Sequence, residues 1–181
     1  PNLYLMDEPL SSLDAKLRES LRVELKNIQT NLNATILYVT HDQAEATTLA
    51  DKIGVLKEGH LVQIGTPEEI YENPNSIYVS QRLGSPKINI LPGTLLGMND
   101  VPTFGIRPEN ITIGNGNHSA KIISIENLGS ETVVALNFKD QEILVSIQGN
   151  YKSSINETIN FDINNEKVLK FDQEGNRIYE R

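Results

Sequence analysis

Leu3-Tyr4-Leu5-Met6-Asp7-Glu8-Pro9 sets four consecutive apolar residues against two carboxylates and a proline. A short, continuous apolar run suits a fully buried strand of a parallel sheet, with Asp7 and Glu8 at its C-terminal end. Downstream, Leu17, Leu21, Leu25, Ile28 and Leu32 recur at helical spacing, with charged residues between them. This predicts an amphipathic helix from Ala15, N-capped by Asp14 or Ser12. Thr35-Ile36-Leu37-Tyr38-Val39 is β-branched and apolar. The order strand, helix, strand implies a right-handed parallel crossover and an α/β sheet.

Beyond Thr40-His41-Asp42 the pattern predicts a short helix, Gln43 to Ala50. Strands Ile53 to Lys57 and Leu61 to Ile64 follow, joined as a hairpin by Glu58-Gly59. Thr66-Pro67-Glu68-Glu69 is a capping box with a first-turn proline. A last helix, Ile77 to Leu83, ends at Gly84-Ser85-Pro86, where helical spacing gives way to short β-type runs. These are Lys121 to Ile125, Thr132 to Phe138, Glu142 to Ile147, Thr158 to Ile163 and Val168 to Phe171, with turns such as Lys139-Asp140. Such spacing indicates a small barrel or sandwich. The expected domains are therefore residues 1–84 and 85–181.

The 181 residues carry 16 Lys and Arg against 24 Asp and Glu, a net charge of -8 without a basic run. A nucleic-acid footprint is missing, and nucleic acid is not expected as a partner. The absence of cysteine excludes disulfides and thiolate metal sites and fits a reducing cytoplasm. No apolar run approaches the ~20 residues of a membrane span, and the first residues lack a signal-peptide layout, so membrane association is expected through a partner.

Open α/β sheets bind ligands at the C-terminal strand edge, where Asp7 and Glu8 are expected. An aspartate there can hold Mg²⁺ through water, and the adjacent glutamate can orient or deprotonate a water attacking a phosphoryl group. Taken alone, the same residues equally end a strand with solvated acids before a turn. His41 follows the next strand and should reach the same edge, where it could donate to a phosphate oxygen or a carboxylate. A lone histidine in that position is also commonly a surface or capping residue. His60 and His118 have no companion ligands at metal spacing and read as surface residues.

LYLMDEPLSSLDAKLR, residues 3–18, resembles the Walker B segment and D-loop of an ABC ATPase, and ILYVTHDQAEATTLADKI, residues 36–53, resembles its switch-histidine region. RLGSPKINILPG and FGIRPENI resemble segments that open and divide the regulatory domain of the maltose-transporter ATPase group. IISIENLGSETVVALNF resembles that domain's later strands. The resemblance covers almost the whole chain and is weakest from Gln148 onward.

It implies the C-terminal part of a P-loop ABC ATPase domain followed by an all-β, OB-like barrel of TOBE type, with Pro1 falling inside the ATPase domain. It implies Asp7 as the magnesium-site aspartate, Glu8 as the catalytic base and His41 as the switch histidine. Ser11 to Asp14 become the D-loop reaching across a dimer, so Ser12 and Asp14 are nucleotide-side candidates. The implied cofactors are ATP and Mg²⁺. The implied partners are a second copy or a paralogous ATPase subunit, transmembrane permease subunits, indirectly an extracytoplasmic solute-binding protein, and a regulator on the β domain. The implied place is the cytoplasmic face of the membrane, as a peripheral subunit.

Two departures matter. Nothing matches the GxxxxGK[ST] loop, the Gln loop or the LSGGQ signature, so these residues alone are expected to be inactive. Only residues 94–104 separate NILPG from GIRPEN, where the maltose group carries extra strands, so an abbreviated barrel is expected. The competing readings are a regulatory or dimerisation module without activity, and the ATPase of a polyamine, sulfate, phosphate-ester or iron importer.

Overall fold

Strand β1 (Leu3–Asp7) leads through a turn into helix α1 (Ala15–Leu32) and returns as β2 (Thr35–Val39). The two strands pair in parallel from Leu3↔Thr35 to Asp7↔Val39, as the crossover pattern requires. The computed structural model describes residues 3–179 and divides the chain into two units, meeting between Asn73 and Pro74.

In the first unit each helix start is chemically marked. Asp14, not Ser12, caps α1 by accepting the Leu17 amide at 3.0 Å. Asn33 closes the helix in the left-handed region at φ 48, a conformation that Asn tolerates better than most residues. Helix α2 (Gln43–Leu49) precedes a hairpin of β3 (Ile53–Lys57) and β4 (His60–Gly65). Glu58 and Gly59 both take positive φ at its turn, as a tight hairpin demands. Helix α3 (Pro67–Glu72) carries the anticipated capping box in both directions: Glu69 N–H donates to Thr66 Oγ1 at 3.1 Å, and Thr66 N–H to Glu69 Oε2 at 2.8 Å.

The buried strand expected at residues 3–6 is not found. Leu3 and Leu5 are 53% and 71% exposed, and on β2 Leu37, opposite Leu5, and Val39, opposite Asp7, are 61% and 45% exposed. A parallel strand buries itself between covered faces and flanking strands, whereas among the described residues β1 and β2 pair only with each other.

In the second unit, α4 (Ile77–Ser80) stops three residues before the expected Leu83. Arg107, itself buried, donates to the Ser80 and Leu83 carbonyls at 3.1 and 2.6 Å. Ile77 N–H donates to Gly175 O, Arg177 N–H to Asn75 O, and Ser76 bridges to Asn176. These bonds tie residues 75–83 to the β unit, and the two compact units divide after Asn73.

The β unit contains β5 (Asn89–Pro92), β6 (Thr103–Ile106), β7 (Ile111–Asn127), β8 (Glu131–Phe138), β9 (Gln141–Gln148), β10 (Thr158–Ile163), β11 (Leu169–Phe171) and β12 (Arg177–Ile178). The expected barrel is built from two antiparallel four-stranded sheets, ordered β10-β7-β8-β9 and β12-β11-β6-β5. Leu91, Phe104 and Ile106 of one share a core with Ile122, Val134, Leu136, Phe138, Val145 and Phe161 of the other. The buried Asn89 side chain stitches them: Nδ2 donates to Ile106 O at 3.2 Å and Leu144 O at 2.8 Å, while Oδ1 accepts the Leu144 amide at 2.7 Å.

β7 is far longer than the run 121–125. Its pairing with β10 passes from Ser119↔Asn160 directly to Ile113↔Phe161, so residues 114–118 drop out of the ladder as a bulge. At Gly116 a Cβ would lie 1.9 Å from Phe161 O, so only glycine fits. His118, expected at the surface, is half-buried, with its ring 5.3 Å from Phe138 and 5.4 Å from Phe161. Among the described residues no helix is long and apolar enough to cross a membrane.

Candidate functional site

β1 and β2 end side by side, and the Glu8 amide continues the ladder one step by donating to Val39 O at 2.8 Å. The chain then turns sharply. Glu8 takes φ 44, a left-handed conformation costing a non-glycine residue about 1–2 kcal/mol. The turn is held by Ser11, whose amide and hydroxyl both donate to Glu8 O, at 3.2 and 2.9 Å. Leu10 anchors the same turn by burying its side chain.

Because the strands are parallel and in register, His41, two residues past Val39, reaches the same edge as Glu8. His41 Nδ1 stands 3.0 Å from Glu8 Oε1, with the side chains 73% and 45% exposed, so the pair is open to a ligand. The hydrogen bond to Glu8, followed by that carboxylate's charge, raises the His41 pKa and favours the imidazolium. Asp7 is exposed at the end of β1, beside the pair in sequence.

Of the anticipated residues, the structure therefore brings Glu8 and His41 together, with Asp7 adjoining. Ser12 and Asp14 are exposed on the following turn and, among the described residues, hydrogen bond to neither. The Asp14 carboxylate is committed to the helix cap.

The loop bearing His41 is braced by residues that the sequence reading left unassigned. Asp42 Oδ1 caps α2 by accepting the Ala44 and Glu45 amides at 2.8 and 3.2 Å. Asp42 Oδ2 meets Arg18 at 3.2 Å, and the same guanidinium donates to Leu13 O at 2.8 Å, linking this loop to the turn before α1. Burial alone would raise the Asp42 pKa, but the Glu45 amide, Arg18 and the Ala44 amide outweigh it and hold the value low.

Glu45, 2% exposed, accepts the Tyr38 and Thr40 hydroxyls at 2.9 and 2.7 Å. Burial, followed by that bond, raises the Tyr38 pKa and keeps the phenol a donor. The spacing Asp42-x-x-Glu45 does signal a helix start. It gives no sign that Glu45 turns inward to the strand.

The TOBE domain family matches residues 104–171. The "Uncharacterized ABC transporter ATP-binding protein y4oS" of Sinorhizobium fredii is 39% identical, with 82% of this chain and 46% of that protein aligned. The "sn-glycerol-3-phosphate import ATP-binding protein UgpC" of Psychromonas ingrahamii is 37% identical, over 99% of this chain and 56% of its own length. The "Xylose/arabinose import ATP-binding protein XacK" of Haloferax volcanii is 40% identical, over 77% and 43%. The chain spans about half the length of the curated relatives it matches. With the TOBE match in its β unit and a relative aligned over 99% of its length, the chain carries a TOBE domain and is similar throughout to part of the ABC transporter ATP-binding proteins.

Proposed function

We propose that this chain is part of the ATP-hydrolysing subunit of an ABC importer, with sugars as the leading cargo class. The observation that carries the reading is the Glu8–His41 pair at the ends of adjacent parallel strands. Attack of water on a terminal phosphoryl group needs a proton acceptor and a charge-stabilising donor within reach of one another.

In this reading Glu8 orients the attacking water and takes its proton. His41 donates a hydrogen bond to a terminal phosphate oxygen, a role its raised pKa favours. Ser12 and Asp14 lie on the turn that reaches toward a second ATPase domain. The implied metal is Mg²⁺, and the single exposed carboxylate of Asp7 suits an ion that keeps most of its shell as water and phosphate oxygen. Bound there, Mg²⁺ would offset charge developing on the phosphoryl group.

These 181 residues include no phosphate-cradling loop or signature segment, and we propose that they do not hydrolyse ATP by themselves. In the intact subunit, ATP-driven closure would act on permease subunits at the cytoplasmic face of the membrane, with a solute-binding protein beyond it. The β unit offers a surface for dimerisation or a regulator. Sugar as cargo draws on the relative named for xylose and arabinose. The relative named for sn-glycerol-3-phosphate keeps a phosphate ester on the test panel.

The experiment is purification of the intact subunit with its neighbouring permease, followed by hydrolysis and transport assays. Glu8→Gln should retain Mg·ATP binding and stop turnover, since the amide keeps shape but takes no proton. Asp7→Asn should weaken Mg²⁺-dependent binding. Unchanged turnover in Glu8→Gln overturns the role of Glu8, and transport of a polyamine, sulfate, iron or sn-glycerol 3-phosphate in place of any sugar overturns the cargo assignment.

A further inference from the structure

Glu45 is a carboxylate buried to 2% exposure, and both its described side-chain bonds converge on Oε2. Burying a carboxylate is costly unless it is well hydrogen-bonded, and an apolar residue would fill the same space at no such cost. What Glu45 adds is direction. The Thr40 hydroxyl has one proton, and by donating it to Glu45 at 2.7 Å it turns a lone pair toward the Asp42 amide, which donates to it at 3.0 Å.

Those two bonds fix the backbone immediately before and after His41. The Tyr38 hydroxyl, two residues earlier and within β2, donates to the same Oε2 at 2.9 Å. His41 itself is 73% exposed and bonds to Glu8, so its own packing supplies little positional restraint.

We infer that Glu45 is a positioning residue for His41, acting through the Thr40 hydroxyl to hold the histidine where it meets Glu8 and the phosphate oxygen. The inference rests on the ATPase reading of the site.

The test uses the intact subunit with its permease and reads kcat, KM for ATP, folded fraction and melting temperature. Thr40→Val keeps the shape and removes the hydroxyl, and Thr40→Ser restores it. Glu45→Gln keeps one oxygen able to accept both hydroxyls, and Glu45→Ala removes it. Thr40→Val and Glu45→Ala should lower kcat per folded molecule by about 10- to 100-fold, the cost of a misplaced reacting group, with KM changed by less than about 3-fold. Thr40→Ser should stay within about 3-fold of the parent, and Glu45→Gln should lose less than Glu45→Ala.

A normal kcat in Thr40→Val overturns the inference, as does a loss confined to KM or to folded fraction, or a Thr40→Ser no better than Thr40→Val. Should Glu45→Ala fail to fold, the threonine pair still decides. Glu8→Gln separates the two levels. If it stops turnover while Thr40→Val does not, only the positioning role is lost. If the parent hydrolyses no ATP, or Glu8→Gln turns over normally, both readings are overturned.

Discussion

His41 Nδ1 lies 3.0 Å from Glu8 Oε1, joining residues that follow the ends of two adjacent parallel strands. The Glu8 hydrogen bond and charge hold the His41 pKa above its ordinary 6.5. A group whose pKa is raised by folding contributes stability that is fully present below the unfolded value. That contribution is lost as pH rises through the folded value. Titration of His41 by NMR, with its signal assigned by His41→Gln, should give a midpoint above 6.5 that returns toward 6.5 in Glu8→Gln. A midpoint at or below 6.5 in the unsubstituted protein would rule out the contact in solution. The pair is exposed, so added salt should also lower the midpoint.

Asp42 caps α2 and meets Arg18 with the same carboxylate. Asp42→Ala removes both and should cost about 1–2 kcal/mol in denaturant unfolding at pH 7, while Asp42→Asn, which retains a capping oxygen, should cost less. The Asp42 pKa is lowered by folding, so its contribution is present above the unfolded value and lost as pH falls through the folded one. The difference between Asp42→Ala and the parent should therefore shrink in acid. A difference independent of pH would remove the charge from the account.

Local patterns carried the element order well. The stretches that read as strands at Thr35 to Val39 and Thr158 to Ile163 are those strands, and the capping box at Thr66 is formed by both of its bonds. These signals depend on spacing within a few residues. Burial does not: Leu3 and Leu5 read as core, yet their exposure depends on what lies against β1, which no local pattern encodes.

The meeting of Glu8 and His41 in the candidate site was legible for the same reason that the strands were, since strand ends place both residues. Glu45 was not legible, because an acid on a short polar helix reads as solvated until the Tyr38 and Thr40 hydroxyls are seen to face it. The bulge at residues 114–118 was equally hidden, being a property of how β10 pairs.

The open faces of β1 and β2 predict a difference in local stability. With Leu5 and Leu37 exposed and Val134 and Leu136 of β8 fully buried, opening β1 and β2 in the isolated chain exposes little new apolar surface. Amides of β1 and β2 should exchange with solvent faster than those of β8. Equal protection in the isolated chain would mean that another copy covers the open faces.

Asn89 supplies a test of how the two sheets of the β unit are joined. Its amide satisfies three backbone groups on β6 and β9, so Asn89→Ala leaves the Leu144 amide and carbonyl short of partners inside the fold. Each unsatisfied buried group costs about 1–3 kcal/mol. The variant should lose about 2–4 kcal/mol in denaturant unfolding of the β unit. Asn89→Asp restores the acceptor but not the donor and should recover only part of that. A loss under about 1 kcal/mol in Asn89→Ala would show that the shared apolar core holds the sheets together without the stitch.

Gly116 and Gly59 separate two reasons for glycine within one chain. Gly59 sits at φ 80 with nothing within 4 Å of where a Cβ would stand, so Gly59→Ala meets only backbone strain, about 1 kcal/mol. At Gly116 the backbone is not in the left-handed region, but the added Cβ would lie 1.9 Å from Phe161 O and 2.0 Å from its carbonyl carbon. Those are backbone atoms of β10 and cannot swing aside as a flexible side chain can. Relief requires the 114–118 bulge to move away from β10, which also withdraws His118 from Phe138 and Phe161. Gly116→Ala should therefore cost more than about 3 kcal/mol, against about 1 kcal/mol for Gly59→Ala. It should also change the aromatic chemical shifts of Phe138 and Phe161. Equal small losses in the two variants, with those shifts unchanged, would mean that β7 does not pack against Phe161 as described.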